Sequence, residues 1–245
     1  MKIISFIPAR SGSKSIPDKN IKLLGNKRLI AWSIESSLKC GITPIVNTDS
    51  GEYVEIARQY GAEVQIRPQN LGNDDTSMFE LLKSEIPKLD CDLVLLLQPT
   101  SPFRKSTHIE TAISYLTENL DKYDSVISVE KVPEKYSPYA MIVEGHDKSM
   151  LFRRLIGFKE KLISKFTGKK FVGPSLAGFP ISKRMTRRQD LPQCYLPTGD
   201  IYLFKASNLA RGSFYGENVM LLECEPSINI NTEGDWISAE EYLKQ

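Results

Sequence analysis

The sequence predicts an α/β fold: a mostly parallel sheet covered by helices on both faces. Two observations carry this expectation. Short runs rich in Ile, Val and Leu alternate with segments of about 10–15 residues whose apolar side chains recur at helical spacing. The first such run then gives way to IPARSGSKSIPDKN (residues 7–20), a polar loop without hydrophobic period. Ligand loops leave a parallel sheet at the carboxyl ends of its strands, which is where this stretch stands.

The elements follow in order. Residues 2–7 read as a buried strand, and 28–39 as a helix that ends before Gly41. A strand at 43–47 precedes a helix with Thr48, Asp49 and Ser50 at its N-cap and Gly61 at its stop. Residues 63–66 form a strand, 76–87 a helix, 92–97 a strand, 106–119 a helix and 124–130 a strand. The region 131–190 breaks the pattern, with prolines, glycines and many basic residues. It reads as a lid, a dimerisation arm or a long irregular excursion. Strands resume at 200–205 and 218–223, and a last amphipathic helix covers 233–244.

Size and charge narrow the function. A chain of 245 residues suits one α/β domain with an elaboration, or two small domains, and 41% hydrophobic residues supply a core. A net charge of +2 is small for a protein that grips nucleic acid by its phosphates. Cys40, Cys91, Cys194 and Cys224 are scattered, and His108 and His146 stand at no metal spacing, so zinc is not expected. Reduced cysteines fit a cytoplasmic setting. The opening residues are too short for a signal peptide, and LVLLL (93–97) is a buried strand rather than a membrane span.

The opening loop has the chemistry of an anion cradle. Arg10, Lys14 and Lys19 can neutralise phosphate oxygens, while Ser11, Gly12, Ser13 and Ser15 let backbone N–H groups approach closely. It matches neither G-x-G-x-x-G nor G-x-x-x-x-G-K-[ST]. On composition alone, a solvated polar loop stays open as the alternative.

Five blocks set this loop in a wider pattern: IPARSGSKSIPDKN, NTDS (47–50), LLLQPTSPFR (95–104), RRQDLPQCYLPTGDIY (187–202) and SININTEGDWISAEE (227–241). In this order they resemble the cytidylyltransferases that activate nonulosonic acids, the acylneuraminate cytidylyltransferase family, over nearly the whole chain. The resemblance implies a Rossmann-like fold of the nucleotide-diphospho-sugar transferase type in a single domain, 1–245. It implies that 131–190 is an inserted arm packing across a homodimer. The activity implied joins CTP to an acidic nine-carbon sugar and releases pyrophosphate, with Mg²⁺ or Mn²⁺ as cofactor. Neither nucleic acid nor a membrane is an expected partner.

The resemblance also assigns residues. Arg10 and Lys19 are the expected catalytic cations on the triphosphate, with Ser11, Gly12 and Lys14 beside them and Asn20 fixing the loop. Arg67 and Thr76 are candidates for reading cytosine; Asp74, Asp75, Thr76 and Ser77 equally suit a helix N-terminus. Gln98, Thr100, Ser101 and Arg104 are expected to face the sugar, as are Arg188, Gln189 and Tyr202. A Pro-stiffened turn for the first group, a solvated charge run at 183–190 and a core role for Tyr202 are the plainer alternatives.

Two departures qualify the resemblance. The family's D-[IV]-D-[ST]-x-x-D motif, whose first two aspartates bind magnesium, here reads NINTEGD, with Asn229, Asn231 and Asp235. Amide oxygens are poorer Mg²⁺ ligands than carboxylates. Asp200, where the family has a small residue, is a candidate replacement metal ligand or an exposed residue at a strand start. The arginine that meets the sugar carboxylate is also missing: LPTG puts Leu196 and Thr198 there, and Arg184 or Arg187 are alternative anchors. These departures keep two rivals open: a transferase with another acceptor or nucleotide, and a nucleotide-binding pseudoenzyme without turnover.

Overall fold

The computed structural model describes residues 1–133, 136, 193–225 and 227–245. The chain divides into one unit of Met1–Glu130 with Pro197–Gln245, and a second of Lys131–Leu196. Most of the second unit, including all of the proposed arm at 131–190 except 131–133 and 136, lies outside the described residues.

The described elements are β1 (Ile3–Pro8), β2 (Leu23–Leu24), β3 (Lys27–Arg28), α1 (Leu29–Lys39), β4 (Thr43–Thr48), α2 (Gly51–Gln59), β5 (Glu63–Ile66), α3 (Met78–Glu85), β6 (Leu93–Leu96), α4 (Ser106–Glu118), β7 (Ser125–Lys131), β8 (Tyr195–Lys205), β9 (Val219–Glu223) and α5 (Glu233–Tyr242). The seven-stranded sheet runs β5-β4-β1-β6-β8-β7-β9, with β2 and β3 forming a separate hairpin. β1 lies parallel to β4 and β6, pairing Phe6 with Ile45 and Leu96. β8 is antiparallel to β6, with Leu96 opposite Tyr202. The expected α/β architecture is present.

Strand periodicity fills both faces. Ile4 and Phe6 point to a core shared with Leu81 and Leu82 of α3 and Phe204 of β8. Ile7, Val46, Leu95 and Leu203 point to the other, under Ile30, Ile34, Tyr53, Ile109 and Leu116 of α1, α2 and α4. A third cluster joins Ile16, Leu24, Leu29, Ile230, Trp236 and Ala239. It ties the opening loop and the hairpin to α5.

Local chemistry moves some boundaries. Ser50 caps α2, its Oγ accepting from Tyr53 N at 3.5 Å. α3 starts at Met78 rather than 76, because Ser77 and Glu80 form a capping box. It passes at Ile86 into a 3₁₀ turn that contains Pro87, which ends it earlier than periodicity suggested. β8 starts at Tyr195, five residues before the expected position. Pro197 and Gly199 look like breakers in the sequence, but Gly199 adopts φ +81°, and the strand bends and continues.

Candidate active site

A cleft of about 240 Å³ opens at the carboxyl ends of β1 and β6. One wall is the opening loop, with Pro8, Arg10, Ser13, Lys19 and Asn20; the wall facing it includes Arg67, Asn73, Asp74 and Thr76, and Gln98, Pro99 and Thr100 come from the β6 loop.

The opening loop is held from both ends. Ile16, fully buried in the third cluster, anchors its middle, and burying an isoleucine stabilises by roughly 1.5–3 kcal/mol. Asp18 follows in the left-handed region, φ 49°, and starts a 3₁₀ turn at Lys19–Ile21 that turns Lys19 and Asn20 inward. Asn20 Nδ2 donates to Arg10 O at 3.0 Å, so Asn20 does fix the loop through its side chain. Gly12, at φ +67°, makes the turn that an L side chain rarely adopts. Asp49 grips Ser11 twice, accepting from its N at 2.8 Å and its Oγ at 3.0 Å. Ser11 therefore spends both donors on the scaffold, and neither it nor Gly12 lines the cleft.

Lys19 is largely buried, and its Nζ donates to Ile230 O at 3.0 Å. Burial lowers its pKa, the nearby Arg10 adds to this, and Asp235 opposes it. Arg10 donates to Gly12 O at 3.3 Å and pairs with Asp74, whose other oxygen pairs with Lys14. Arg67 is buried, with Nε on Asn47 Oδ1 at 2.7 Å and a terminal nitrogen on Asn47 O at 3.3 Å. Desolvation pulls its pKa down to about 10, with Asp49 opposing. Thr76 is oriented by Asn73, whose Oδ1 accepts from its N at 2.9 Å and its Oγ1 at 2.7 Å.

Other predicted residues take different places. Arg104 is buried: Nε donates to Asp200 O at 2.9 Å, and the terminal nitrogens donate to Ser33 Oγ at 2.7 Å and Gln98 O at 2.5 Å. It holds the backbone of Gln98 rather than facing the cleft. Burial pulls its pKa down to about 10, against Asp200. Ser101 is fully buried behind the loop, close to Gly199. Tyr202 packs edge-on against Phe214 and Tyr215, at 6.0 and 6.4 Å between centroids, away from the cleft-lining set. Burial pushes its hydroxyl up to about 12. Leu196 is exposed, and Thr198 donates to Ser128 Oγ at 2.7 Å. Arg184, Arg187, Arg188 and Gln189 lie outside the described residues.

The C-terminal segment reaches the cleft's edge, where Ile230 N donates to Thr100 O at 2.7 Å. Asn229 Nδ2 donates to Thr198 O at 3.4 Å, and Asn231 Nδ2 to Asn229 Oδ1 at 3.5 Å. Asp235 caps α5: one oxygen accepts from Asn231 N at 2.9 Å, Thr232 N at 2.7 Å and Thr232 Oγ1 at 2.9 Å. Those bonds, the Asn231 amide first, hold its carboxyl below the usual range. Asp200 is buried rather than exposed; its Oδ1 accepts from Ser227 Oγ at 2.5 Å, and it lines a separate cavity with His108 and Glu225. Among the described residues no group of three or more His, Cys, Asp or Glu is placed to hold a metal.

Asn47, Asp49, Asn73 and Asp74 were not expected as site residues. Asp49 and Asp74 read as capping residues, although Asp49 stands in the NTDS block and Asn73 and Asp74 lie between the base-reading candidates Arg67 and Thr76. The partners of Asn47, Asp49 and Asp74 lie 18–64 positions away in sequence, beyond any local pattern.

Known proteins resemble this chain in sequence and in fold. A family model described as cytidylyltransferase matches residues 4–172. An N-acylneuraminate cytidylyltransferase of Escherichia coli O18:K1:H7 is 47% identical over 131 residues, covering 52% of this chain and 31% of that protein. Another, of Streptococcus agalactiae serotype V, is 31% identical across 99% of this chain and 54% of that protein. A CMP-N,N'-diacetyllegionaminic acid synthase of Legionella pneumophila is 42% identical over 121 residues, 46% of this chain and 52% of that one. The chain spans about half, or less, of the length of these curated relatives. Among solved structures, a CMP:2-keto-3-deoxy-manno-octonic acid synthetase complexed with CTP has TM-score 0.70 at 16% identity, covering 100% of this chain and 99% of that one. A 2-C-methyl-D-erythritol 4-phosphate cytidylyltransferase of Thermus thermophilus has TM-score 0.56 at 13% identity, covering 100% of both chains. At such identities the likeness speaks for the fold.

Proposed function

Because the chain belongs to the cytidylyltransferase family, we propose that it transfers a cytidylyl group from CTP to a nonulosonic acid and releases pyrophosphate. The observation that carries this reading is the cleft itself. Arg10 and Lys19 stand on one wall, Arg67 and Thr76 on the other, and Gln98 and Thr100 beside them. In the reaction the sugar's anomeric hydroxyl oxygen bonds to the α-phosphorus. The bond from that phosphorus to the β-bridging oxygen breaks, its electron pair leaves with pyrophosphate, and the hydroxyl proton goes to solvent. No covalent enzyme intermediate is needed. The work of the chain is to position the reactants and neutralise charge. Arg10, Lys14 and Lys19 meet the triphosphate. Arg67, fixed by Asn47, and Thr76, fixed by Asn73, offer hydrogen bonds to the edge of the base. Gln98 and Thr100 are placed towards the acceptor.

The family resemblance implies Mg²⁺ or Mn²⁺. The residues present do not fit a resident Mg²⁺ held by protein carboxylates. Asn229 and Asn231 offer neutral amides, Asp235 is committed to the α5 cap, and the Lys19 ammonium already sits on Ile230 O between the two asparagines. In this reading the divalent ion enters as the counter-ion of CTP. A homodimer, a cytoplasmic setting and a closing role for 131–190, with Arg188 and Gln189 at the sugar, are parts of the same proposal. No helix of the described residues is long and apolar enough to cross a membrane.

Mixing the protein with CTP, Mg²⁺ or Mn²⁺ and a panel of ulosonic acids, and measuring pyrophosphate, tests the reading. Release with one sugar identifies the acceptor. The missing carboxylates favour a second reading, a nucleotide binder without turnover. Thermal stabilisation by CTP with no pyrophosphate from any sugar supports that one.

A further inference from the structure

One carboxylate bridges the two walls of the cleft. Asp74 lies between the 3₁₀ turn Gln69–Leu71 and α3, and its Oδ1 pairs with Arg10 while its Oδ2 pairs with Lys14. These are two of the cations that the proposed function gives to the triphosphate, so the inference rests on that reading. Lys14 stands outside the lining of the cleft, and three residues that line it are held elsewhere: Lys19 on Ile230 O, Asn20 on Arg10 O, and Arg67 on Asn47. Asp74 therefore stands against only part of the ligand. A phosphate that takes Arg10 and Lys14 must first displace it, whereas the base does not.

We propose that Asp74 is an intramolecular competitor for the phosphate site, taking Arg10 and Lys14 back from pyrophosphate and so favouring its release. The apparent affinity of a ligand falls by the fraction of molecules whose site is free to accept it. That fraction is set by how firmly Asp74 holds its two cations. The side chain of Asp74 is about one-third exposed and that of Lys14 is 80% exposed, so the pairing is partly screened and a polyanion can break it. The hydrogen bond from Lys14, and then the Arg10 charge, keep the Asp74 carboxyl below its usual range, so it is ionised and competing at neutral pH.

The test is calorimetric titration of the full chain with inorganic pyrophosphate and, separately, with CMP. Asp74→Asn is expected to bind pyrophosphate about 3- to 10-fold tighter than wild type, the scale of two partly screened ion pairs, with CMP changed less than about twofold. Asp74→Glu keeps the charge and should bind pyrophosphate as wild type does. Equal or weaker pyrophosphate binding by Asp74→Asn overturns the proposal, and so does a gain for CMP as large as that for pyrophosphate. If Asp74→Asn does not fold, Asp74→Ser carries the same comparison. Binding of pyrophosphate by none of the proteins overturns the phosphate-clamp reading itself, whereas equal binding by all overturns only the role of Asp74.

Discussion

The loops after β1 and β6 leave neighbouring parallel strands at the same edge of the sheet, and each carries an arginine. Arg10 keeps about a third of its side chain exposed and rests on a carboxylate that another anion can replace. Arg104 is 6% exposed and donates from each of its three nitrogens, to Asp200 O, Ser33 Oγ and Gln98 O. One guanidinium lines the cleft; the other is tied to the scaffold behind it and borders the separate cavity with Asp200 and His108. Residue type and position at a strand end are the same, so the difference lies in how completely the protein's own oxygens satisfy the donors.

Exchanging each arginine for alanine tests this contrast most severely. Arg104→Ala strands buried carbonyl groups and is expected to cost about 3 kcal/mol or more, which for a chain of this size is a fall in Tm of about 6–12 °C. A melting curve like that of wild type, combined with lost sugar binding, would return Arg104 to the ligand. Arg10→Ala should do the reverse. CTP affinity drops about 10- to 100-fold with the loss of charge-assisted hydrogen bonds, and folding stability moves by less than about 1 kcal/mol. Calorimetry and urea unfolding on the same preparations separate the two outcomes.

Asp49→Ala sharpens the comparison without touching a ligand-facing group. It releases Ser11, and the opening loop loses its second anchor. CTP binding should weaken about 3- to 10-fold, the value of one or two hydrogen bonds, and protease cleavage after Arg10 or Lys14 should accelerate. Cleavage at the wild-type rate would show that Ile16 and the Asn20 bond hold the loop without Asp49.

The smallest effect expected is one of pH. The pKa of Lys19 is lowered in the fold, chiefly by burial. As pH rises through that lowered value Lys19 loses its charge, so CTP affinity should begin to fall below the ordinary lysine range and not at it. Lys19→Arg should move the decline upward, since a guanidinium stays charged. If wild type and Lys19→Arg have superimposable pH profiles, the ammonium carries no share of binding.

The legible parts of this protein are those whose cause is local. Ile4 and Phe6 against Ile7 mark β1, Ser50 and Gly61 bracket α2, and the basic loop after β1 stands at the cleft as its composition implies. Asn20 fixes the loop as expected, because its bond to Arg10 O spans only ten positions. β8 is longer than expected because Pro197 and Gly199 carry the same signal in a bent strand as in a turn. Arg104 is bonded to Gln98 O, Ser33 Oγ and Asp200 O and does not line the cleft, because a motif names a side chain and not the direction it takes.

Residue order alone was enough for the succession of strands and helices, the position of the basic loop after β1, and the asparagines at 229 and 231 where the family resemblance implies carboxylates. Those rest on periodicity, backbone preference and residue identity, which act over a few positions. It took the folded chain to establish that Ile16 pins the loop, that Asp49 spends itself on Ser11, that Asp74 sits on Arg10 and Lys14, and that Arg104 is scaffold. Each of these is a contact between segments remote in the chain, and a donor's task is set by whichever acceptor the packing brings within about 3 Å of it.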